Sequence, residues 1–228
     1  MGRIVGLVMI GVVALAAASW AADEAGAEQS AADEAKKIAL FNGTDFTGWK
    51  LFSPDENADL AQTWSVKDGV VHCTGSPAGY MRTTRQYENY RLTWEWRWTG
   101  EGGNSGCLLH LSEPDKVWPK SIECQLMSTN AADFWLIDGT DFKEHTNKED
   151  RRVPKMHEHN EKELGKWNKG MAVCEGDTIK LYINGLLQNQ ATEATVTKGY
   201  IAFQSEGAPI EFRKIILEPL EGGGPVKE

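Results

Sequence analysis

Glu123 and Gln125 are the residues of this chain whose types and spacing best suit chemistry on a small polar molecule. In an extended chain, residues two apart lie on one face about 7 Å apart, so one can move a proton while the other holds a hydroxyl. Glu95 and Arg97 repeat this spacing, and His110 follows a Gly-rich turn. The pattern predicts a single polar face carrying all five side chains. The alternative is a cross-strand ladder of ion pairs on an open sheet face.

Tryptophan is the other residue type that could contact a ligand, because its aromatic plane suits the C–H face of a sugar ring. Alternation places the three tryptophans of the run 94–98 on the opposite, buried side, so we expect them in the core. Trp118 and Trp135 fall in predicted loops beside the polar face, and we expect them to stack on a substrate. The segment ending in Gln204 and Glu206 is expected to reach the same face.

Short strands separated by turn clusters must position these residues. The 23 Gly and 9 Trp among 228 residues favour a sheet-rich domain that is large enough to bury a core. Asp68-Gly69 and Asn184-Gly185 predict tight hairpins, and helix is confined to short pieces such as 57–63. The predicted fold class is all-β, a sandwich or barrel. Strands are expected over 64–74 (a hairpin), 80–83, 90–98, 107–111, 122–127, 167–175, 178–183, 187–191, 199–204 and 210–217.

Residues 1–21 have the composition of a secretory signal peptide. Arg3 supplies the positive start, an apolar run follows over 4–18, and Ser19-Trp20-Ala21 forms a small-x-small cleavage site. The run is short for a bilayer span. We therefore expect cleavage after Ala21, a secreted or periplasmic protein, and no membrane span after signal removal.

One domain is expected to occupy residues 38–220. A mobile acidic and Ala-rich leader would precede it over 22–37, and a flexible Gly-rich tail would follow over 221–228. The segment 138–164 interrupts the strand pattern with many charged residues, which is typical of a functional loop or a mobile insertion.

The balance of charge limits the classes of partner. A formal net charge of -9 disfavours binding to nucleic acid and to anionic lipid, so no nucleic-acid partner is expected. His157-Glu158-His159 could be a metal pair, but its charged neighbours and the absence of a marked third ligand favour a solvated loop. No cofactor and no metal site are predicted, and the sequence leaves the metal requirement and the oligomeric state open.

Four cysteines, Cys73, Cys107, Cys124 and Cys174, would meet an oxidising compartment after export. Cys107 and Cys124 fall on the same predicted face of neighbouring strands, which makes them the most plausible disulfide pair. The alternative is that all four are small buried hydrophobic residues. Their spacing contains no CxxC pattern, so a zinc site is not predicted.

Seven segments of the chain, taken in order, resemble the 3-keto-disaccharide hydrolase domain family, whose fold is similar to that of concanavalin A-like lectins and glucanases. The resemblance covers about residues 38–219. It implies an antiparallel two-sheet jelly-roll sandwich with a concave, substrate-binding face. The segments are LFNGTDFTGW (40–49), DGVVHCTGSPAG (68–79), YENYRLTWEW (87–96), GNSGCLLH (103–110), SIECQ (121–125), GKWN (165–168) and GYIAFQSEGAPIEFRKI (199–215).

The resemblance implies cleavage of glycosides that are already oxidised at C3. A 3-ketone acidifies the hydrogen on C2, so a base can remove it and the C1 oxygen can leave, after which water adds back. We expect Glu123 to shuttle the proton and His110 to act as polariser or acid. Arg97 and Gln125 would hold the ketone and hydroxyls. The full expected substrate-binding set is Glu95, Arg97, Gln125, Trp118, Trp135 and Gln204.

Other functions remain open at this point. The E-x-D-x-x-E strand that glucanases of similar fold use is absent, which disfavours hydrolysis through two opposed carboxylates. A carbohydrate-binding, lectin-like module without catalysis would use the same face only to hold a glycan. A cell-surface or assembly domain would instead use the charged segment 138–164 as its interface.

Overall fold

Antiparallel strands make up almost all of the regular structure in residues 37–226, the part of the chain that the computed structural model describes. The predicted signal peptide and nearly all of the predicted leader lie outside the described residues. The elements are β1 (Ile38–Ala39), β2 (Trp49–Phe52), α1 (Leu60–Thr63), β3 (Trp64–Lys67), β4 (Val70–Cys73), β5 (Gly79–Thr83), β6 (Tyr87–Trp98), β7 (Gly106–Leu111), β8 (Ser121–Gln125), β9 (Phe134–Ile137), β10 (Arg152–Val153), β11 (Asn168–Glu175), β12 (Thr178–Ile183), β13 (Leu186–Ala191), β14 (Lys198–Ser205) and β15 (Ile210–Pro225).

The strands form two sheets. The first sheet has the order β3-β4-β15-β6-β11-β12-β13, and β1 pairs with the later part of β15. The second sheet has the order β10-β9-β8-β7-β14-β5-β2. The beginning of β14 pairs with β6 before the strand continues into the second sheet. The predicted all-β, antiparallel two-sheet jelly roll with little helix is confirmed.

The core lies between the two sheets and is rich in aromatic side chains. The tryptophans of β6 are buried, as alternation predicted, because every second residue of that strand faces the other sheet. Trp94 meets Phe203 of the second sheet edge to face at 5.9 Å between ring centroids, and Phe203 lies 4.9 Å from Phe212 of the first sheet. Such pairs add to the free energy gained by burying apolar area.

Both predicted hairpin turns are present, and the helix is shorter than the predicted span 57–63. Asp68 and Asn184 adopt positive φ (52° and 48°) in the two predicted hairpins, each followed by a glycine. The helix is a single turn, α1, which Asp59 caps by accepting a hydrogen bond from the amide of Ala61. In residues 37–226, no helix has the length and the apolar character that a membrane-spanning segment needs.

The end of the domain differs from the prediction. β15 continues to Pro225, so residues 221–225, which were expected in a flexible tail, belong to a strand. After a register shift, Gly224 and Pro225 pair with Glu88 and Tyr87 of β6. This pairing supplies backbone hydrogen bonds that a polar, Gly-rich composition does not predict.

The four cysteines are buried and free, which is the second of the two alternatives, and Cys107 and Cys124 form no disulfide. The two residues are direct register partners on β7 and β8, as the shared face predicted, but each thiol packs as a small apolar group. Burial raises the pKa of both thiols well above the ordinary value, which keeps them protonated.

Candidate active site

Glu123 lies on the outer face of the second sheet, the face that points away from the core. Its register partners are Leu108 on β7 and Trp135 on β9. A Cβ atom added to Gly106 would stand 2.4 Å from Oε1 of Glu123 and 2.3 Å from Oε1 of Gln204. The missing side chain at Gly106 therefore lets the Glu123 carboxyl and the Gln204 amide meet above β7.

Two further polar residues complete what we call the carboxyl cluster: Glu123, Gln204, Glu206 and Asn104. Asn104 forms isolated backbone bridges with Glu206 and Gly207, which hold the Gly-rich turn before β7 against the end of β14. Oε1 of Gln204 and Oδ1 of Asn104 are buried and have no hydrogen-bond partner within the described chain. Both oxygens are therefore suited to accept hydrogen bonds from the hydroxyl groups of a ligand.

The cluster favours protonated carboxyl groups. Glu123 is 6% exposed, and burial, followed by the nearby charge of Glu206, raises its pKa to about 8; Arg151 and Gln204 act in the opposite direction. Burial also raises the pKa of Glu206, against the effect of Asn104 and Arg151. A carboxyl with its pKa near neutrality can both accept and release a proton under ordinary conditions.

Trp135 borders the cluster and was expected in a loop. It lies instead on β9, a strand that the sequence pattern did not reveal, directly across from Glu123. The residue is half-buried, and its indole nitrogen has no hydrogen-bond partner within the described chain. The aromatic ring therefore lies beside the reactive carboxyl, where a sugar ring could stack on it.

Arg151 supplies the positive charge of this region. It is exposed, and its guanidinium carbon stands 5.1 Å from the Trp135 ring centroid. The sequence prediction did not include Arg151, because one more arginine in the charged segment 138–164 carries no distinguishing signal. Only the pairing of β10 with β9 reveals its place.

Gln125 shares the strand and the face of Glu123, as predicted. Its side-chain oxygen, however, accepts hydrogen bonds from the backbone amides of Leu126 at 2.9 Å and Met127 at 3.0 Å. That oxygen therefore stabilises the turn after β8. The residue lies beside the cluster, and part of its hydrogen-bonding capacity is already used.

His110 does not share the face of Glu123, and that expectation is wrong. Leu108 and Leu111 both belong to the apolar group on the outer face although they are three residues apart. Leu109 and His110 between them both turn towards the core, where the imidazole meets the Tyr90 ring edge to face at 5.7 Å. A β-bulge against β14, with His110 at φ 55°, breaks the alternation on which the prediction depended.

The surroundings of His110 are structural. Its Nδ1 lies 3.0 Å from the carbonyl oxygen of Val196, and burial lowers the pKa of the imidazole to about 4. A Cβ atom added to Gly199 would stand 2.4 Å from the carbonyl carbon of His110, so the bulge needs glycine at that position of β14. The sequence could not show this close approach.

Glu95 and Arg97 are also separated from Glu123. They lie on β6, on the outer face of the first sheet, with the whole core between them and the cluster. Glu95 accepts a hydrogen bond from Arg213 at 2.6 Å, and Arg97 pairs with Glu211. The cross-strand ion-pair ladder, the alternative for these two residues, is confirmed. Period-two alternation defines two faces of a strand but does not assign the strand to a sheet.

Trp118 lies in the loop of residues 112–120, between β7 and β8, and packs on the apolar part of the same outer face. Asp115 anchors this loop: it accepts hydrogen bonds from the Tyr80 hydroxyl at 2.8 Å and from Arg82 at 2.7 Å. Lys50 adds an ion pair at 2.6 Å. The loop therefore covers the part of the face beside the carboxyl cluster and holds Trp118 on it.

No metal centre is found in residues 37–226, since no group of three or more His, Cys, Asp or Glu side chains there could hold an ion. His157 and His159 are both exposed. The carboxyl cluster offers two carboxyl groups and two amides, with a guanidinium close by. That set is suited to moving protons and binding hydroxyls.

Residues 37–226 thus form a two-sheet jelly roll that carries the buried Glu123 carboxyl and the Trp135 ring on one outer face. The chain belongs to the family of 3-keto-alpha-glucoside-1,2-lyase-like domains, whose model matches residues 36–218. The resemblance found in the sequence is thereby confirmed.

Relatives agree with this placement. A 3-keto-disaccharide hydrolase of Bacteroides thetaiotaomicron is 24% identical over 162 residues, which cover 62% of this chain and 53% of that protein. The chain thus spans about half the length of this curated relative. A candidate glycosyl hydrolase from Parabacteroides distasonis superposes with a TM-score of 0.60 at 22% identity, covering 82% of this chain and 95% of that one. The β-glucanase of Bacillus licheniformis shares the fold, with a TM-score of 0.55 at 13% identity over 81% and 97% of the two chains.

Proposed function

We propose that this protein cleaves glycosides whose sugar carries a ketone at C3, by removing the C2 proton and eliminating the C1 oxygen, after which water adds back. The observation that carries the proposal is the buried Glu123 carboxyl, raised in pKa and placed beside Glu206 and Trp135 on one face of a domain of this family. Such a carboxyl suits proton transfer at carbon more than it suits a permanently ionised nucleophile.

The first step moves one proton and one electron pair. The ionised Glu123 takes the proton from C2, the C–H electrons form a C2=C3 double bond, and the carbonyl electrons move onto the C3 oxygen as an enolate. The ketone makes this hydrogen acidic, and a carboxyl whose pKa is raised by burial is a stronger base than an exposed one.

The second step breaks the glycosidic bond. The enolate reforms the ketone, a C1=C2 double bond forms, and the C1–O bond electrons leave with the departing oxygen. That oxygen takes a proton from a carboxylic acid, and Glu206 is suited to this because its burial favours the protonated form. Addition of water then returns oxygen to C1 and hydrogen to C2.

Substrate hydroxyls would be held by the amides of the cluster. The buried amide oxygens of Gln204 and Asn104, which lack partners within the described chain, are acceptors for hydroxyl donors. Trp135 would stack on the sugar ring. Gln125 lies on β8, two residues after Glu123 and on the same face. Trp118, on its anchored loop, would border the same face.

We also propose that the protein acts outside the cytoplasm, in the secreted or periplasmic space. This proposal depends on the predicted signal peptide, residues 1–21. Amino-terminal sequencing of protein recovered from the periplasm or medium of a bacterial host tests it. A mature chain beginning at Ala22 is expected, and a chain that stays in the cytoplasm with residues 1–21 attached would contradict it.

The direct test is a panel of disaccharides in matched 3-keto and unoxidised forms. Sugar release from the 3-keto forms alone is expected, with loss of activity in Glu123→Gln. Glu218→Gln is the matched control, because that glutamate pairs with Arg91 on the first sheet, remote from the cluster. Binding of both forms without release would instead support a non-catalytic carbohydrate-binding module. Release from unoxidised sugars at equal rates would refute the proposed chemistry.

A further inference from the structure

Arg151 is held at the edge of the carboxyl cluster by its backbone, which leaves its side chain exposed. Its carbonyl oxygen accepts a hydrogen bond from the amide of Leu136 at 2.9 Å, and the next residue begins β10, which pairs with Trp135 of β9. The position of the residue therefore follows from sheet pairing. The guanidinium extends over the Trp135 ring at 5.1 Å from guanidinium carbon to ring centroid.

The charge of Arg151 is not committed to a close ion pair. The neighbouring Arg152 pairs with the buried Asp133 at 3.5 Å, whereas Arg151 forms no such close pair within residues 37–226. Its charge still acts on both Glu123 and Glu206. The side chain can therefore turn from the aromatic ring towards a bound ligand without breaking a salt bridge.

The proposed reaction needs a cation at this place. Removing the C2 proton puts negative charge on the C3 oxygen, and the carboxyl cluster offers only carboxyl groups and amides. A planar guanidinium can donate two parallel hydrogen bonds to such an oxygen and its neighbour. The expected source of this charge, Arg97, lies on the far side of the core and is paired with Glu211.

We propose that Arg151 is a catalytic residue of this site: it donates hydrogen bonds to the C3 oxygen of the 3-keto sugar and stabilises the enolate. This inference rests on the proposed function. It assigns the electrophilic role to a residue of the segment 138–164, outside every motif that distinguishes the sequence. It also gives that charged segment a part in catalysis, since Arg151 reaches the site from it.

The test compares Arg151→Ala, Arg151→Lys and the control Arg91→Ala with the unsubstituted protein on one 3-keto disaccharide. Loss of a hydrogen-bond donor to an oxyanion costs about 100-fold or more in turnover, so kcat of Arg151→Ala should fall by about that factor, with a smaller change in KM. Arg151→Lys should retain part of the activity, and added guanidinium ion should partly restore Arg151→Ala. Arg91→Ala should match the unsubstituted protein, since Arg91 pairs with Glu218 on the first sheet.

The outcomes separate the two proposals. If the unsubstituted protein cleaves the 3-keto sugar and Arg151→Ala keeps kcat within about threefold, below the effect expected for an oxyanion donor, this inference is overturned while the proposed function stands. A fall in affinity alone, with kcat unchanged, also overturns it, since it would show ground-state binding only. An unsubstituted protein that cleaves no 3-keto sugar overturns both. Because Arg151 is exposed, melting curves should show all variants folded.

Discussion

Replacing Glu123 with glutamine should make the stability of the protein less dependent on pH. Because burial raises the pKa of Glu123 to about 8, the folded state holds this proton up to about pH 8, whereas an unfolded glutamate releases it near its ordinary pKa of 4.5. The folded state therefore binds more protons across this window. The stabilisation that this proton gives is fully present below pH 4.5 and is lost as the pH rises through 8.

The magnitude follows from the width of the window. Each pH unit between the two pKa values removes about 1.4 kcal/mol of unfolding free energy, so the Glu123 contribution should fall by about 2.5 kcal/mol between pH 5.5 and 7.5. Glutamine keeps the shape of the side chain and has no proton to lose. The unfolding free energy of Glu123→Gln relative to the unsubstituted protein should therefore rise by about that amount over the same interval.

Urea unfolding followed by tryptophan fluorescence at both pH values measures the difference. Groups remote from Glu123 titrate alike in both proteins and cancel in the comparison, whereas Glu206, whose charge acts on Glu123, is coupled to it, so the measured difference belongs to the pair. Glu218→Gln, on the outer face of the first sheet, is the control and should show no such change. Parallel curves for Glu123→Gln and the unsubstituted protein would refute the view that this carboxyl is buried and holds its proton near neutrality.

Three further predictions concern the cluster and its surroundings. The value of kcat/KM on a 3-keto sugar should rise about tenfold per pH unit below pH 8 as Glu123 loses its proton. Glu206→Gln should lower the midpoint of that rise by removing the like charge beside Glu123, and should lower kcat by removing the acid that protonates the leaving oxygen. A midpoint that stays in place contradicts this coupling. Gly106→Ala should reduce turnover at least about tenfold with little loss of stability, because its methyl group enters the space where the Glu123 and Gln204 side chains meet. Kinetics and melting curves check this. Unchanged turnover would show that the contact between the two side chains is not needed. Asp115→Asn should lower the free energy of unfolding in urea by about 3 kcal/mol, because it leaves the buried Arg82 without its main counter-charge. A loss below about 0.5 kcal/mol, the level of an exposed ion pair, would contradict the view that Asp115 holds the loop through a buried ion pair.

Periodicity and turn chemistry were enough to predict most of the fold. The hairpins followed from Asp68-Gly69 and Asn184-Gly185, and the burial of the β6 tryptophans followed from alternation. Glu123 was identified from its place among polar residues on one side of a strand, and Gln204 from a similar pattern. These features are local, so a single sequence contains them.

Long-range features could not be predicted in the same way. Alternation does not say which sheet a strand joins, so Glu95 and Arg97 were placed on the wrong side of the core. An extra residue in a β-bulge moves every later side chain of that strand to the face opposite the one that alternation predicts, as His110 shows. The place of Arg151 depends on a two-residue strand, β10, whose pairing with β9 is set by the tertiary fold.

Cleavage of a 3-keto disaccharide in D₂O, with isotope analysis of the released sugar at C2, tests the central claim most directly. Proton removal and later hydration both exchange with solvent, so the hydrolysed sugar should carry deuterium at C2, and any unsaturated product should lack the original C2 hydrogen. Glu123→Gln should give neither cleavage nor exchange, because the carboxyl that takes the proton is gone. Released sugar that keeps its C2 hydrogen in full would show direct hydrolysis at C1 and would contradict proton abstraction by Glu123.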